Sequence, residues 1–129
     1  MEGKRLPVLL VVEDDVAVRE LYEKALADSY EVVSLSFGEG TPEITESYKP
    51  DLVLLDVNLP GVSGFEVCKR IRALPATRDV PVIFITSMTD DASFHEGLKA
   101  GGTFWMSKPV SIPKLKERLA YMLKGNSPG

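Results

Sequence analysis

Cysteine is almost missing from this chain: 129 residues carry one, Cys68. That excludes an internal disulfide framework and any zinc site built on paired cysteines, and leaves Cys68 as a small core residue. Histidine is as scarce, and His95, without a second imidazole, reads as a surface residue. Long apolar runs are missing too. The longest near the start, Val8-Leu9-Leu10-Val11-Val12, stops at Glu13, Asp14 and Asp15. That is too short for a signal-peptide core and far below the ~20 residues of a spanning helix, so no membrane partner and a cytoplasmic location are expected. Nor is there an excess of basic charge. Fifteen Lys+Arg against nineteen Asp+Glu give a net charge of −4, which suits direct nucleic-acid binding poorly.

What is present is ordinary globular material. A hydrophobic content of 44% with 26% charged residues excludes a mostly disordered chain. The length suits one domain, which at this size buries roughly two-thirds of its unfolded surface. Apolar runs then alternate with helical patterns. Val8–Val12 is unbroken and reads as a strand covered on both faces, as do 51–56 and 81–86, with Glu31–Leu35 and a short 103–106 as the remaining strands. Helices are expected over 16–27, Thr41–Tyr48 (Thr41 as N-cap, Pro42 at the first position), 63–73 (Ser63 as cap) and 90–100, the last closed by Gly101 and Gly102. A final helix carries the stripe Ile112, Leu115, Leu119 and Met122. Residues 125–129 read as a tail or the start of a linker, leaving 1–124 as the domain.

Five strand–helix units of this kind imply a parallel α/β sheet with helices on both faces, whose ligands bind beyond the carboxyl ends of the strands. Strand one ends in Glu13-Asp14-Asp15, strand three in Asp56, strand four in Thr86, and strand five just before Lys108-Pro109, whereas strand two ends in Ser36 and Phe37 with nothing reactive. Taken singly, each position has an ordinary explanation. Asp15 serves as a helix cap and Lys108-Pro109 as a surface turn. Asp56 resists that treatment, because it follows four aliphatic residues and no helix begins until Ser63. A carboxylate there is costly unless cations or donors hold it.

Phosphoryl transfer to a carboxylate suits the set. An aspartate is ionised at neutral pH and needs no general base to act as nucleophile. Its difficulty is that an anion must attack an anion, which a divalent cation on acids from strands one and three relieves. Mg2+ keeps waters and needs only two or three protein oxygens. Lys108 and the Thr86 hydroxyl are placed to meet phosphoryl oxygens.

From Val8 to Lys124 the chain resembles the receiver domain of two-component response regulators. Val11-Val12-Glu13-Asp14-Asp15 is similar to the family's acidic motif, and the stretch from Leu54 to Gly64 to its phosphoacceptor motif, with Pro60 and Gly64 in place. Thr86 and Lys108-Pro109 follow in the family's order. The resemblance implies a doubly wound, flavodoxin-like strand order 2-1-3-4-5. It implies Asp56 as the phosphorylated residue, Asp14 as a direct Mg2+ ligand with Glu13 acting largely through water, and the Asn58 backbone carbonyl completing the metal site. It also implies Thr86 as the switch hydroxyl, Lys108 as the phosphate-pairing lysine, and a cis peptide before Pro109. Trp105 stands at the switch aromatic, where tyrosine or phenylalanine is usual, and its indole is larger than the usual occupant. Leu59 replaces a frequent methionine. The implied partners are a sensor histidine kinase or histidine phosphotransfer protein upstream, and an output domain or downstream protein on the surface of helix four, strand five and helix five. The implied activity is self-phosphorylation and dephosphorylation, without turnover of a separate substrate.

Two other classes share parts of this pattern. A haloacid-dehalogenase-type phosphohydrolase also uses a strand-end aspartate but wants a second acid where Asn58 stands, and leaves no room here for a cap domain. A flavin carrier of the same topology needs a phosphate-cradling loop after strand one, where Glu13-Asp14-Asp15 repels phosphate. Gly38-Glu39-Gly40 starts a dinucleotide pattern but lacks its third glycine and follows strand two. Lys114, Lys116, Arg118 and Lys124 read as a solvated face or as part of an output surface, and Lys69, Arg70 and Arg72 as the solvent side of helix three.

Overall fold

A computed structural model describes residues 5–87 and 91–124. In chain order the elements are β1 (Val8–Val12), α1 (Val16–Leu26), β2 (Glu31–Leu35), α2 (Thr41–Tyr48), β3 (Leu52–Asp56), α3 (Gly64–Ala73), a 3-10 turn (Pro75–Thr77), β4 (Val82–Thr86), α4 (Asp91–Ala100), β5 (Phe104–Ser107) and α5 (Ile112–Leu123). All strand pairs are parallel and the order is β2-β1-β3-β4-β5. Among the described residues, no helix is long and apolar enough to cross a membrane.

The unbroken aliphatic strands are what a sheet covered on both sides requires, because alternate residues face opposite layers. Leu10, Val12, Val53, Leu55, Val82 and Phe84 pack with Val67, Cys68 and Ile71 of α3. Leu9, Val11, Leu52, Leu54, Ile83 and Ile85 pack with Tyr22 and Leu26 of α1 and Leu115, Leu119 and Met122 of α5. The same alternation, carried to the strand ends, sends Glu13 and Asp56 toward the α1 and α5 layer and Thr86 toward the α3 and α4 layer. The chain leaves β1 for β2 on one side and later returns to β3 on the other, so β1 and β3 flank the switch point of the topology.

Most element ends fall within a residue of expectation. Asp15 and Ser63 are N-caps, accepting from the amides of Val18 and Glu66 at 3.1 and 3.2 Å. Thr41 is not a cap. Gly40 takes that position with φ +81°, and the Thr41 hydroxyl already donates to the Phe37 carbonyl at 3.1 Å from within the helix. β5 starts at Phe104 rather than at Thr103, whose hydroxyl accepts the Val82 amide at 3.1 Å. The expected start of the fourth helix at Asp90 and the expected tail at 125–129 lie outside the described residues.

Gly64 fixes the corner that carries the end of β3 into α3. Its amide donates to the Val57 carbonyl at 2.9 Å. A Cβ there would stand 2.3 Å from the Asp56 carbonyl oxygen and 2.8 Å from the Val57 Cα, both backbone atoms that cannot swing aside. Gly64→Ala should therefore lower stability by about 2–3 kcal/mol, the range of core overpacking. Urea unfolding reads this directly, and an unchanged midpoint would mean the corner yields freely.

Candidate functional site

Glu13 and Asp14 follow the last residue of β1, and Asp56 is the last residue of β3, its neighbour in the sheet. One carboxylate oxygen from each of the three lies within 4.8 Å of the others. Glu13 and Asp56 are buried at 2% exposure each, while Asp14 faces solvent. Two carboxylate charges at that separation repel by roughly 3 kcal/mol in a partly polar interior.

Lys108 supplies the counter-charge. It comes from the turn after β5, where its amide donates to the Thr86 carbonyl at 2.9 Å and the Lys108–Pro109 peptide is cis, as expected. Its Nζ donates to Asp56 Oδ2 at 2.9 Å, and the other oxygen, Oδ1, accepts from the Asn58 amide at 2.9 Å. Both Asp56 oxygens are thus held. Burial pulls the Lys108 ammonium down, but the hydrogen bond to Asp56 and the charges of Asp56, Glu13 and Asp14 outweigh it and hold the group above its ordinary value.

Glu13 is less well served. Its Oε2 accepts from the Asp15 amide at 3.0 Å. Its Oε1 is 4.0 Å from Lys108 Nζ, within ion-pair range but too far for a hydrogen bond, and is buried without a hydrogen-bond partner. Burial raises the Glu13 carboxyl to about 7, helped by the Asp56 charge and opposed by the Asp15 amide and Lys108. An orphaned carboxylate oxygen beside two further carboxylates, with one ammonium to balance them, fits a hard divalent cation.

Other placements extend the expectations. Asp15 is turned away into its capping role. The Thr86 hydroxyl is fully buried and donates to Asn58 Oδ1 at 3.3 Å, so the Asn58 side chain joins Thr86 to the loop that holds Asp56. Trp105 stacks on Phe65 with centroids 6.0 Å apart and meets Phe84 and Phe94 edge-on at 6.0 and 5.9 Å. Its bulk is accommodated by Gly97 of α4, where a Cβ would lie 2.6 Å from the indole. His95 is exposed and Cys68 is buried, its thiol pushed up to about 11 by burial. Sequence reasoning missed Arg19, whose guanidinium donates to the Glu13 carbonyl at 2.9 Å; its position one turn after the Asp15 cap was the available signal. It also missed Tyr22, a buried phenol whose pKa burial raises, with Glu13 and Asp56 adding to the shift.

The family model of the response regulator receiver domain matches residues 9–120. The transcriptional regulatory protein AfsQ1 of Streptomyces coelicolor is 38% identical over 92% of this chain and 52% of its own length. The phosphate regulon regulator PhoB of Rhizobium meliloti is 36% identical over 95% of this chain and 55% of its own. This chain therefore spans about half the length of the curated relatives it matches. Among solved structures, the receiver domain of a Pseudomonas aeruginosa sensor histidine kinase, with a magnesium ion coordinated in its active-site cleft, superposes with a TM-score of 0.84 at 26% identity, covering 94% of this chain and 99% of that one.

In the metal-free protein the raised Glu13 value means that the native state keeps a proton the unfolded chain has released. Its contribution is complete below the ordinary value of 4.5 and is lost as pH rises through about 7. Glu13→Gln removes that term. The variant's stability relative to the parent should therefore rise between pH about 5 and about 8, by on the order of 2–3 kcal/mol. Urea midpoints of both proteins across that range, in chelator, check it. A parent–variant difference independent of pH would place the carboxylate in a well-solvated setting.

Proposed function

The chain belongs to the response regulator receiver domain family, and from that premise we propose that it is a switch thrown by phosphorylation of Asp56. The observation that carries this reading is the Lys108–Asp56 contact of 2.9 Å inside a cluster of three acids, one of which has an orphaned oxygen. Asp56 presents an oxygen to the phosphorus of a phosphohistidine on a sensor kinase or phosphotransfer protein. An O–P bond forms as the N–P bond breaks, and the imidazole leaves with the electron pair. The Asn58 amide and Lys108 hold the two Asp56 oxygens and so orient the attack. Lys108 and the Thr86 hydroxyl then meet the phosphoryl oxygens, where charge spreads as transfer proceeds. Glu13, Asp14, Asp56 and the Asn58 backbone carbonyl would hold Mg2+, which when bound offsets the repulsion between carboxylate and phosphoryl group. Water later attacks the acyl phosphate, releasing inorganic phosphate and restoring Asp56, so no separate substrate is turned over.

The acyl phosphate draws Thr86 from Asn58 toward Asp56. Space opens on the α3 and α4 side of the sheet, beside Trp105. The surface of α4, β5 and α5 shifts between two states, biased by one local charge. An output domain or downstream protein reads that surface. A dehalogenase-type hydrolase is disfavoured by Asn58, whose side chain is occupied with Thr86 and carries no acid.

With Mg2+ and acetyl phosphate the protein should gain one acid-stable, base-labile phosphoryl group, and Asp56→Asn should abolish it. Asp14→Asn should slow labelling strongly, whereas Asp15→Asn should leave it nearly intact, because asparagine caps helices about as well as aspartate. Intact-mass spectrometry reads all three, and stoichiometric labelling of Asp56→Asn would refute the assignment. Trp105, the sole tryptophan, should change its emission when Mg2+ and beryllofluoride are added together. Thr86→Ala should blunt that change with Mg2+ binding retained. Flat emission while beryllofluoride is demonstrably bound would remove Trp105 from the switch.

A further inference from the structure

Arg19 has no part in the phosphoryl chemistry, yet its charge sits where its own helix disfavours it. It is the fourth residue of α1, which starts at Val16 under the Asp15 cap and carries no acid in its first turn. A helix macrodipole disfavours a cation near this end. Side chains in a helix lean toward its N-terminus, which carries the guanidinium back over the first turn. There Nη1 donates to the Glu13 carbonyl at 2.9 Å, in a partly buried setting. Among the described residues, ion pairs are made by Arg70 and Lys108 and none by Arg19. An arginine placed to neutralise the pocket would pair with its carboxylates. This one directs its charge at a backbone oxygen and leaves the carboxylates to other cations.

That bond bears on Asp14. The Glu13 amide donates to the Leu35 carbonyl at 2.9 Å and so prolongs the β1–β2 ladder by one bond. β2 ends at Leu35, and the Glu13 carbonyl meets Arg19 instead of a further strand amide. Its oxygen belongs to the peptide that joins Glu13 to Asp14. The next peptide, joining Asp14 to Asp15, is held by its amide, which donates to Glu13 Oε2 at 3.0 Å. Both peptides flanking Asp14 are therefore tied, while Asp14 itself is exposed. A fixed backbone limits what an exposed aspartate must give up on ligating an ion to its side-chain torsions.

We propose that Arg19 is a positioning residue for the cation site: through the Glu13 carbonyl it fixes the backbone from which Asp14 reaches the metal. The inference rests on the switch reading only in taking Glu13 and Asp14 as acids that hold Mg2+. Two effects of the guanidinium oppose each other. As a cation beside an acidic pocket it weakens Mg2+ binding by repulsion, which salt screens. As a donor to Glu13 it strengthens binding, because less order has to be imposed on Asp14 when the ion arrives. A charged donor on a partly buried carbonyl outweighs a screened charge.

Removing the guanidinium separates the two effects by sign. Arg19→Met keeps the apolar stem and the helix propensity and removes the donors. Arg19→Gln stays polar but is too short to span the same distance. MgCl2 is titrated into the metal-free whole protein and into each variant, and the amide resonances of Asp14 and Asp15 are followed by NMR. Both variants should bind Mg2+ about tenfold more weakly than the parent. The Mg2+ needed for half-maximal labelling by acetyl phosphate should rise by the same factor. Unchanged or tighter Mg2+ binding in either variant overturns the proposal. Loss of charge alone would tighten binding, and loss of a purely structural bond would lower the urea midpoint and leave the Mg2+ Kd where it was. A parent whose resonances ignore Mg2+ would remove the cation site and the switch reading with it. A responsive parent with unaffected variants would remove only the role of Arg19.

Discussion

Three carboxylates share the carboxyl end of two neighbouring strands, and one ammonium reaches them. That imbalance constrains the rest. Buried acids at this spacing disfavour one another, and a lone counter-ion cannot satisfy them all. Lys108 bonds Asp56 and leaves Glu13 Oε1 without a partner, so the pocket is electrostatically incomplete as the chain alone builds it. The sheet must be registered well enough to keep the acids together despite their repulsion. The fully buried β3 and β4, and β1 buried from Leu9 onward, provide that rigidity. Lys108 arrives two strands away from Asp56, across β4, and its amide is tied to the Thr86 carbonyl. The same strand end therefore sets both the counter-charge and the Thr86 hydroxyl.

Asp56 and Thr86 point to opposite sides of the sheet, and the connection between them runs around the strand ends. Asn58 gives its backbone amide to Asp56 and its side-chain oxygen to the Thr86 hydroxyl. In the proposed switch, a change of charge at Asp56 therefore reaches Thr86 through neighbouring groups rather than through a long path. Beyond Thr86 the α3 and α4 layer holds the ring cluster of Phe65, Phe84, Phe94 and Trp105. Packed rings shift between discrete arrangements more readily than they deform.

The architecture and the acidic site were legible in the sequence because they depend on strand ends. Unbroken aliphatic runs locate parallel strands, and parallel strands bring their carboxyl ends to one edge. Asp56 stood out because a charge after four aliphatic residues needs partners, and Lys108 and the Asn58 amide are those partners. Asp15 and Ser63 could be read as caps from local chemistry alone. What was not legible depends on contacts distant in the chain or on backbone angle. Thr41 looked like a cap because its hydroxyl has the right chemistry, but Gly40 in the left-handed region turns the chain one residue earlier. Arg118 looked solvated because nothing in its own helix reveals Phe104 beneath it. The bulk of Trp105 looked like an obstacle because the notch that receives it, Gly97, lies on a different element. The orphaned Glu13 oxygen likewise appears only once Lys108 is seen to favour Asp56.

Gly97 has a second consequence. Glycine inside a helix costs about 1 kcal/mol relative to alanine, since it exposes backbone and loses more conformational freedom on folding. Among its described residues, α4 buries only Gly97 and Ala100, neither of which brings much apolar area. By contrast α3 buries Phe65, Val67, Cys68 and Ile71, and α5 buries Leu115, Leu119 and Met122. The larger apolar side chains of α4, Phe94 and Leu98, are about half exposed. The helix therefore brings little apolar burial of its own, and Gly97 lets it sit close against the Trp105 indole. Regions with few buried apolar contacts open at the low end of a protein's stability range. A redistribution of charge at Asp56 worth only a few kcal/mol need not disturb the sheet to be felt. In the proposed switch it has to change only the space around Trp105, beside a helix that buries little apolar surface of its own.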